Sequence, residues 1–386
     1  MDWENNTVKL NIHEGERLFE GILVGRTAEE AHWITPRICG VCPIAHNLAS
    51  LYAIEDAYGI KVSEGVKLLR KLMICGQMIQ SHVLHLFFLV LPDYIGIDRG
   101  TELAKKKPAS FKKALSLKEL GDEIAYVVAG RNVHPVKSTV GGFHQAPAKK
   151  MLEDLLVKLV QTEKNAEWAV KLFSGLKYPE IKVDLELVAQ SGDKIISNAG
   201  KEVLIKDYKK NIEEELRDYS TAKFGRFQGR EMFVGSLARL AVKPPSGGFT
   251  AKLDFQNPFH NNIAQAIEIL QYHKEAKEII EKLLSMEMDT EIVSKGDPWN
   301  FQGSPLFRGV GAVEAPRGGL YHEMHLDEKG IITYANIITP TVQNLTSIEK
   351  SARALLEQIQ GSNQERQRLL NILVRAYDPC ITCSVH

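Results

Sequence analysis

The chain has 386 residues, 44% of them hydrophobic and 25% charged, an ordinary globular balance with ample material for a core. Lysine plus arginine equals aspartate plus glutamate at 48 each, so no overall field draws the chain to nucleic acid or to an anionic membrane. The opening "MDWENNTVKL" has neither the charge nor the apolar run of a signal peptide, and the expectation is a soluble, cytoplasmic protein without membrane insertion.

Helical patterning dominates, with no internal repeat and no low-complexity tract. "PIAHNLASLYAIEDAYG" suits a helix with Pro43 at its first position and Gly59 beyond its end. Ser63 is placed to cap the next helix, "EGVKLLRKLMICGQMIQSHVLHLFFLVL". Its most apolar part, "HVLHLFFLVLPDYIGI", is too short and too rich in His and Pro to span a bilayer, so it reads as a core helix. Further helices are expected over about 110–130, 148–175, 260–285 and 341–360. Alternation broken by turn residues predicts a hairpin region near 180–208 and another near 308–338, turning at Asp327–Gly330. The last helix, "QERQRLLNILVRAY", follows Ser362 and Glu365 at capping-box spacing. The expected fold is mainly α with small β elements (α+β), one domain over 1–386.

Cysteine use is sparse but organised. Of five cysteines, four form two C-x-x-C pairs, Cys39/Cys42 and Cys380/Cys383, and Cys75 stands alone. Paired C-x-x-C in a chain this large points to metal or redox chemistry, not a disulfide framework. Four thiolates satisfy tetrahedral zinc on spacing alone. Zinc leaves unexplained Arg37 beside the first pair, the Asp-Pro before the second, and the histidines that follow each. His46 lies about one helical turn past Cys42, within reach of its sulfur.

With those flanks, "RICGVCPIAH" and the terminal "DPCITCSVH" resemble the large (alpha) subunit of nickel–iron hydrogenases. The likeness runs along nearly the whole chain, through "LNIHEGERLFEG", "SHVLHLFFLVLPDY", "NPFHNNIAQAIEIL", "EAPRGGLYH" and "YANIITPTVQNL". It is strongest to the cytosolic NADP-linked hydrogenases, also called sulfhydrogenases. The resemblance implies a long-helix bundle around a nickel–iron centre, with one carbon monoxide and two cyanides on the iron, that interconverts H2 with protons and electrons. By position, Cys39 and Cys380 are implied as terminal nickel ligands, and Cys42 and Cys383 as bridges to iron. Arg317 in "EAPRGG" matches an arginine over the open metal position, and Asp93 and Asp378 match the carboxylates that fix it. Arg37 and Arg317 are expected to offset the sulfur charge. His46 matches a hydrogen-bond partner of the bridging sulfur, and Thr341 a hydroxyl donor to a cyanide. Glu20, the backbone carbonyl of Ile337 and His386 match a separate magnesium (or iron) site.

Other features read as structural. His82 and His85 are expected to make core hydrogen bonds. "HEMH" lies on a strand and is not a zinc-protease motif, and "GVGAVEA" lacks the following helix of a dinucleotide loop. Beyond the four cysteine ligands only Cys75 remains, so iron–sulfur clusters are expected in a partner small subunit. The likeness to the NADP-linked subgroup alone implies a diaphorase partner that carries flavin and NADP. F420 or ferredoxin as acceptor, or a non-catalytic zinc-bound relative, remain alternatives. Two departures stand out. The upstream R-x-E-G glutamate that relays protons in relatives falls before Met1, which suggests a missing or divergent N-terminus. The stop at His386 suggests a processed form, implying a maturation protease and nickel-insertion factors.

Overall fold

Pro43 at its first turn and Gly59 in the left-handed conformation beyond its last bound helix α1 (Pro43–Tyr58). Its start carries the first cysteine pair into the core, because almost every residue of the helix is buried. The computed structural model describes residues 7–244, 253–286 and 307–385. Ser63 accepts a hydrogen bond from the Val66 amide at 3.2 Å and starts α2, which runs from Glu64 to Ile95. Helices α3 (Pro108–Ala129), α4 (Lys149–Ser174) and α5 (Asn261–Leu284) pack around it. Helices α6 (Pro340–Gln358) and α7 (Asn363–Ala376) close the chain. Ser362 caps α7 through the Glu365 amide at 3.3 Å.

By length and composition α2 is the one described helix able to cross a membrane, yet 78% of its apolar window is buried in the protein. The sequence reading runs this helix through its apolar end as a core helix, and the structure carries it on to Ile95 by way of a π-helical stretch at His85–Val90.

Strands occupy both expected regions. Antiparallel β1 (Glu186–Ser191), β2 (Lys194–Ser197) and β3 (Glu202–Leu204) form the first. A further hairpin, β4 (Ile212–Arg217) with β5 (Ser220–Phe227), follows, and β6 (Met232–Phe233) pairs parallel with β1. The second region is a three-stranded antiparallel sheet in the order β9-β8-β7, from β7 (Phe307–Ala315), β8 (Gly318–Leu326) and β9 (Ile332–Ile338).

This last sheet lies against α1, and "GVGAVEA" explains how closely. A Cβ on Gly309 would stand 1.9 Å from the Ala53 carbonyl oxygen, and one on Gly311 2.0 Å from that of Ala49. The glycines serve backbone-to-backbone approach of strand and helix. Helices α2 and α3 meet in the same way, where a Cβ on Gly76 would lie 2.8 Å from the Gly121 carbonyl oxygen. A buried ion pair, Arg70 with Glu55 at 2.6 Å, ties α2 to α1. Either group alone would leave an uncompensated charge in the core.

Gly311→Ala is expected to destabilise the fold by about 3 kcal/mol, read from the urea midpoint, because the obstacle is helix backbone and cannot swing aside. A second expectation concerns acid. His273 on α5 is buried against the Thr162 hydroxyl of α4 at 3.0 Å, and burial pushes its pKa down to about 4. The fold therefore holds this ring neutral, while the unfolded chain takes up the proton near pH 6.5. Its contribution is complete above pH 6.5 and is lost as pH falls towards 4. His273→Gln should flatten the fall in urea midpoint over that window, and an unchanged slope would refute the assignment.

Candidate metal centre

The two cysteine pairs, 341 residues apart in sequence, face each other: Cys39 Sγ lies 3.4 Å from Cys380 Sγ, and Cys42 Sγ 3.6 Å from Cys383 Sγ. Local backbone chemistry sets each pair. The amides of Val41 and Cys42 both donate to Cys39 Sγ, at 3.3 and 3.2 Å, which curls the first C-x-x-C around its leading sulfur. The second pair hangs from the start of α6. The Cys380 amide donates to Thr341 Oγ1 at 3.0 Å, and the Thr339 hydroxyl donates to the Cys383 carbonyl at 2.9 Å. Asp378, just before, adopts a positive φ of 52°, a left-handed turn that aspartate tolerates better than most residues.

Crowding divides the thiols. Hydrogen bonds from Cys383, Cys39 and Cys42, aided by the Arg317 charge, push Cys380 far below the usual thiol range, while Cys42 and Cys383 are pushed up. The sulfurs of Cys39, Cys380 and Cys383 lie within 4.8 Å of one another, as do those of Cys42 and Cys383 and a ring nitrogen of His46. Four clustered soft donors, with no carboxylate among them, fit nickel and iron.

Arg317 is nine-tenths buried. Its Nε donates to the Asp378 carbonyl at 2.6 Å, one terminal nitrogen to Asp378 Oδ1 at 2.7 Å, and the other to Ser81 Oγ at 3.3 Å. Burial opposes its charge, but Asp378 and the sulfurs of Cys380, Cys42 and Cys39 raise its pKa further. The guanidinium is thus a fixed cation beside the sulfurs. Its backbone is fixed too: buried Arg239 donates to the carbonyls of Ala315 and Pro316 at 2.9 Å each. Arg239 in turn pairs with Glu268, as does His82 at 2.9 Å. Burial alone would raise the Glu268 pKa, and these two partners hold it down to about 2.

Asp93 and Arg37 are placed differently from expectation. The Asp93 carboxylate grips Arg375 at 2.7 and 2.9 Å, so Asp378 and Ser81 hold Arg317 instead. Arg37 is exposed and donates to the Trp33 carbonyl, because the short 3-10 turn Thr35–Ile38 aims it outward. His46 Nε2 lies 3.9 Å from Cys383 Sγ. Its other nitrogen meets His322 at 3.2 Å, and His322 meets Ser50 at 3.0 Å, so one histidine of "HEMH" supports the site. Glu20 Oε1 accepts from the Ile337 amide at 2.7 Å and from Asn336 at 3.1 Å, while Lys223 stands 3.8 Å from Oε2. His386 lies outside the described residues.

Sequence reasoning overlooked Arg17. Its guanidinium donates to the Ile38 carbonyl at 2.7 Å and to the Thr382 carbonyl, so one side chain joins the residues preceding Cys39 and Cys383. Only its position three before Glu20 in "RLFEG" hinted at this.

The nickel-dependent hydrogenase family matches residues 17–127 and 186–386. The chain is 35% identical over 402 residues to the sulfhydrogenase 1 alpha subunit of Pyrococcus furiosus, covering 98% of this chain and 91% of that one. It is 34% identical over 400 residues to the sulfhydrogenase 2 alpha subunit of the same organism, covering 99% and 94%. Its fold matches the crystal structure of an NAD+-reducing [NiFe]-hydrogenase in the H2-reduced state, with a TM-score of 0.81 at 24% identity over 99% of this chain and 94% of that one. The facing cysteine pairs beneath a buried arginine and these matches together make the chain a member of the nickel-dependent hydrogenase family, as its catalytic large subunit.

Proposed function

We propose that this chain splits and forms hydrogen, H2 to two protons and two electrons, and passes the electrons by way of iron–sulfur clusters in a small subunit, then a flavin-bearing diaphorase, to NADP. The observation that carries the reaction is the convergence of Cys39, Cys42, Cys380 and Cys383 beside Arg317 and Asp378. When bound, a nickel–iron centre with carbon monoxide and two cyanides supplies the electron-accepting site for H2. The chain's own part is to hold that centre on the four sulfurs and to keep a fixed positive charge beside it. A guanidinium with its pKa raised is a poor resting base. Its contribution is the field that favours charge separation as the H–H bond polarises. Thr341, which accepts from the Cys380 amide, keeps its own proton to donate to a cyanide. The NADP assignment rests on the likeness of the terminal motif to cytosolic NADP-linked hydrogenases.

Val41 and Ile381, lying between the cysteines, are exposed apolar residues, as are Leu18 and Ile22 in the segment that follows Arg17. The occupant they suit is the small subunit, because covering this face would shield the centre and shorten the electron path. The magnesium reading rests on Glu20, held against the Ile337 strand, with hard oxygen donors suited to that ion. Lys223 at 3.8 Å would compete for the same carboxylate.

The enzyme purified with its small subunit should reduce a viologen dye with H2 and show infrared carbonyl and cyanide bands. Zinc in the chain with no such bands would overturn the reading. Arg317→Lys should lower kcat about 100-fold with nickel and iron content unchanged. Arg17→Ala should lower metal occupancy about 10-fold by elemental analysis, because the two cysteine loops lose their common tie. Full occupancy would show that the loops hold themselves.

A further inference from the structure

His85 is buried at the first residue of the π-helical stretch in α2, a local distortion of a kind that often re-aims a side chain at a functional site. Its Nε2 lies 2.7 Å from the Arg375 carbonyl oxygen. A carbonyl only accepts, so Nε2 carries a hydrogen. Its Nδ1 lies 2.5 Å from Gln265 Oε1 and 3.8 Å from Asp378 Oδ2.

The far end of Gln265 fixes which amide atom faces the ring. Gln265 Nε2 donates to Asp378 Oδ2 at 3.2 Å. Turning the amide over would set its oxygen against that carboxylate, two acceptors facing each other out of water. The amide oxygen therefore faces His85, and Nδ1 must donate as well. A ring that donates from both nitrogens is an imidazolium. Asp378 is the anion beside it, and its two oxygens are divided, Oδ1 to Arg317 and Oδ2 to Gln265. The other charges near this part of α5 are already matched, since Glu268 is held by Arg239 and His82.

We propose that His85 is a cationic positioning residue for hydrogen splitting, acting through Gln265 on Asp378 and thereby on the aim of Arg317. The chain of contacts starts at the Arg375 carbonyl, and the side chain of Arg375 is pinned by Asp93. Asp93 is thus linked to the guanidinium only through Arg375, His85, Gln265 and Asp378 in turn. Without the His85 cation, Gln265 is free to turn, Asp378 loses its second tie, and the guanidinium loses its fixed direction.

This inference rests on the role given to Arg317, and its first test does not involve activity. Neutron diffraction from deuterium-exchanged crystals of the enzyme should show deuterons on both ring nitrogens of His85. A deuteron on one nitrogen only would overturn the proposal, whatever the hydrogenase assays show. The second test is kinetic. His85→Gln and Gln265→Leu should each lower kcat about 10-fold with KM for H2 and metal content unchanged, and His85→Phe should lower it further. Wild-type kcat in the Gln265→Leu enzyme would overturn the coupling to Arg317 even if His85 is charged. Should the variants fail to fold, the neutron result on the wild-type enzyme still decides the charge.

Discussion

The governing constraint is electrostatic. Four sulfurs from opposite ends of the chain gather in a site where three of them are buried. Thiolates brought together away from water repel one another, and the cost falls only if metal and protein cations share the space. Buried Arg317 is a protein cation whose charge acts on Cys39, Cys42 and Cys380. Much of the neighbouring architecture keeps that one guanidinium still. Asp378 and Ser81 hold its nitrogens, Arg239 holds its backbone, and the left-handed turn at Asp378 joins this anchor directly to the second cysteine pair.

That arrangement explains why the fold surrounds the site with helices and strands in close contact. Gly309 and Gly311 let the β7 strand approach α1 at backbone distance, and that strand leads directly to Arg317. Cys42 stands at the cap position just before helix α1, and His46 lies in its first turn. A shift of strand against helix would move the cation relative to the sulfurs, so packing precision and electrostatic precision are the same requirement here. Thr339 and Thr341 do the corresponding work for the terminal cysteines, tethering a short C-terminal segment to a long, buried helix.

What the sequence made legible was local. The caps at Ser63 and Ser362, the limits of α1 at Pro43 and Gly59, and the hairpin turning near Asp327–Gly330 depend on residues a few positions apart, and all stand in the structure. The C-x-x-C pairs were legible because metal-ligand spacing is also local. Side-chain direction was not. Arg37 is two residues from Cys39 yet points away from it, whereas Arg17, twenty-one residues from Ile38, reaches that carbonyl. Asp93 meets Arg375 across 282 positions, and no pattern in either segment announces the pair. The reason for the glycines of "GVGAVEA" lies in a helix met only in three dimensions.

The histidines of α2 show how a core reading and a functional one can coincide. His82 and His85 stand three residues apart on α2, and Gln265 and Glu268 stand three apart on α5. At that spacing each pair lies along one helix face, and the two faces meet: His82 with Glu268, His85 with Gln265. Each contact then continues to the arginine loop by a separate path. Glu268 reaches it through Arg239 and the backbone of Ala315 and Pro316, and Gln265 reaches it through Asp378 and the guanidinium itself. The loop is thus fixed at its main chain and at its side chain by neighbouring rungs of one helix pair. Buried polar contacts of this kind add little stability over apolar packing. Their use here is direction, since an apolar core can fill the space around Arg317 but cannot aim it.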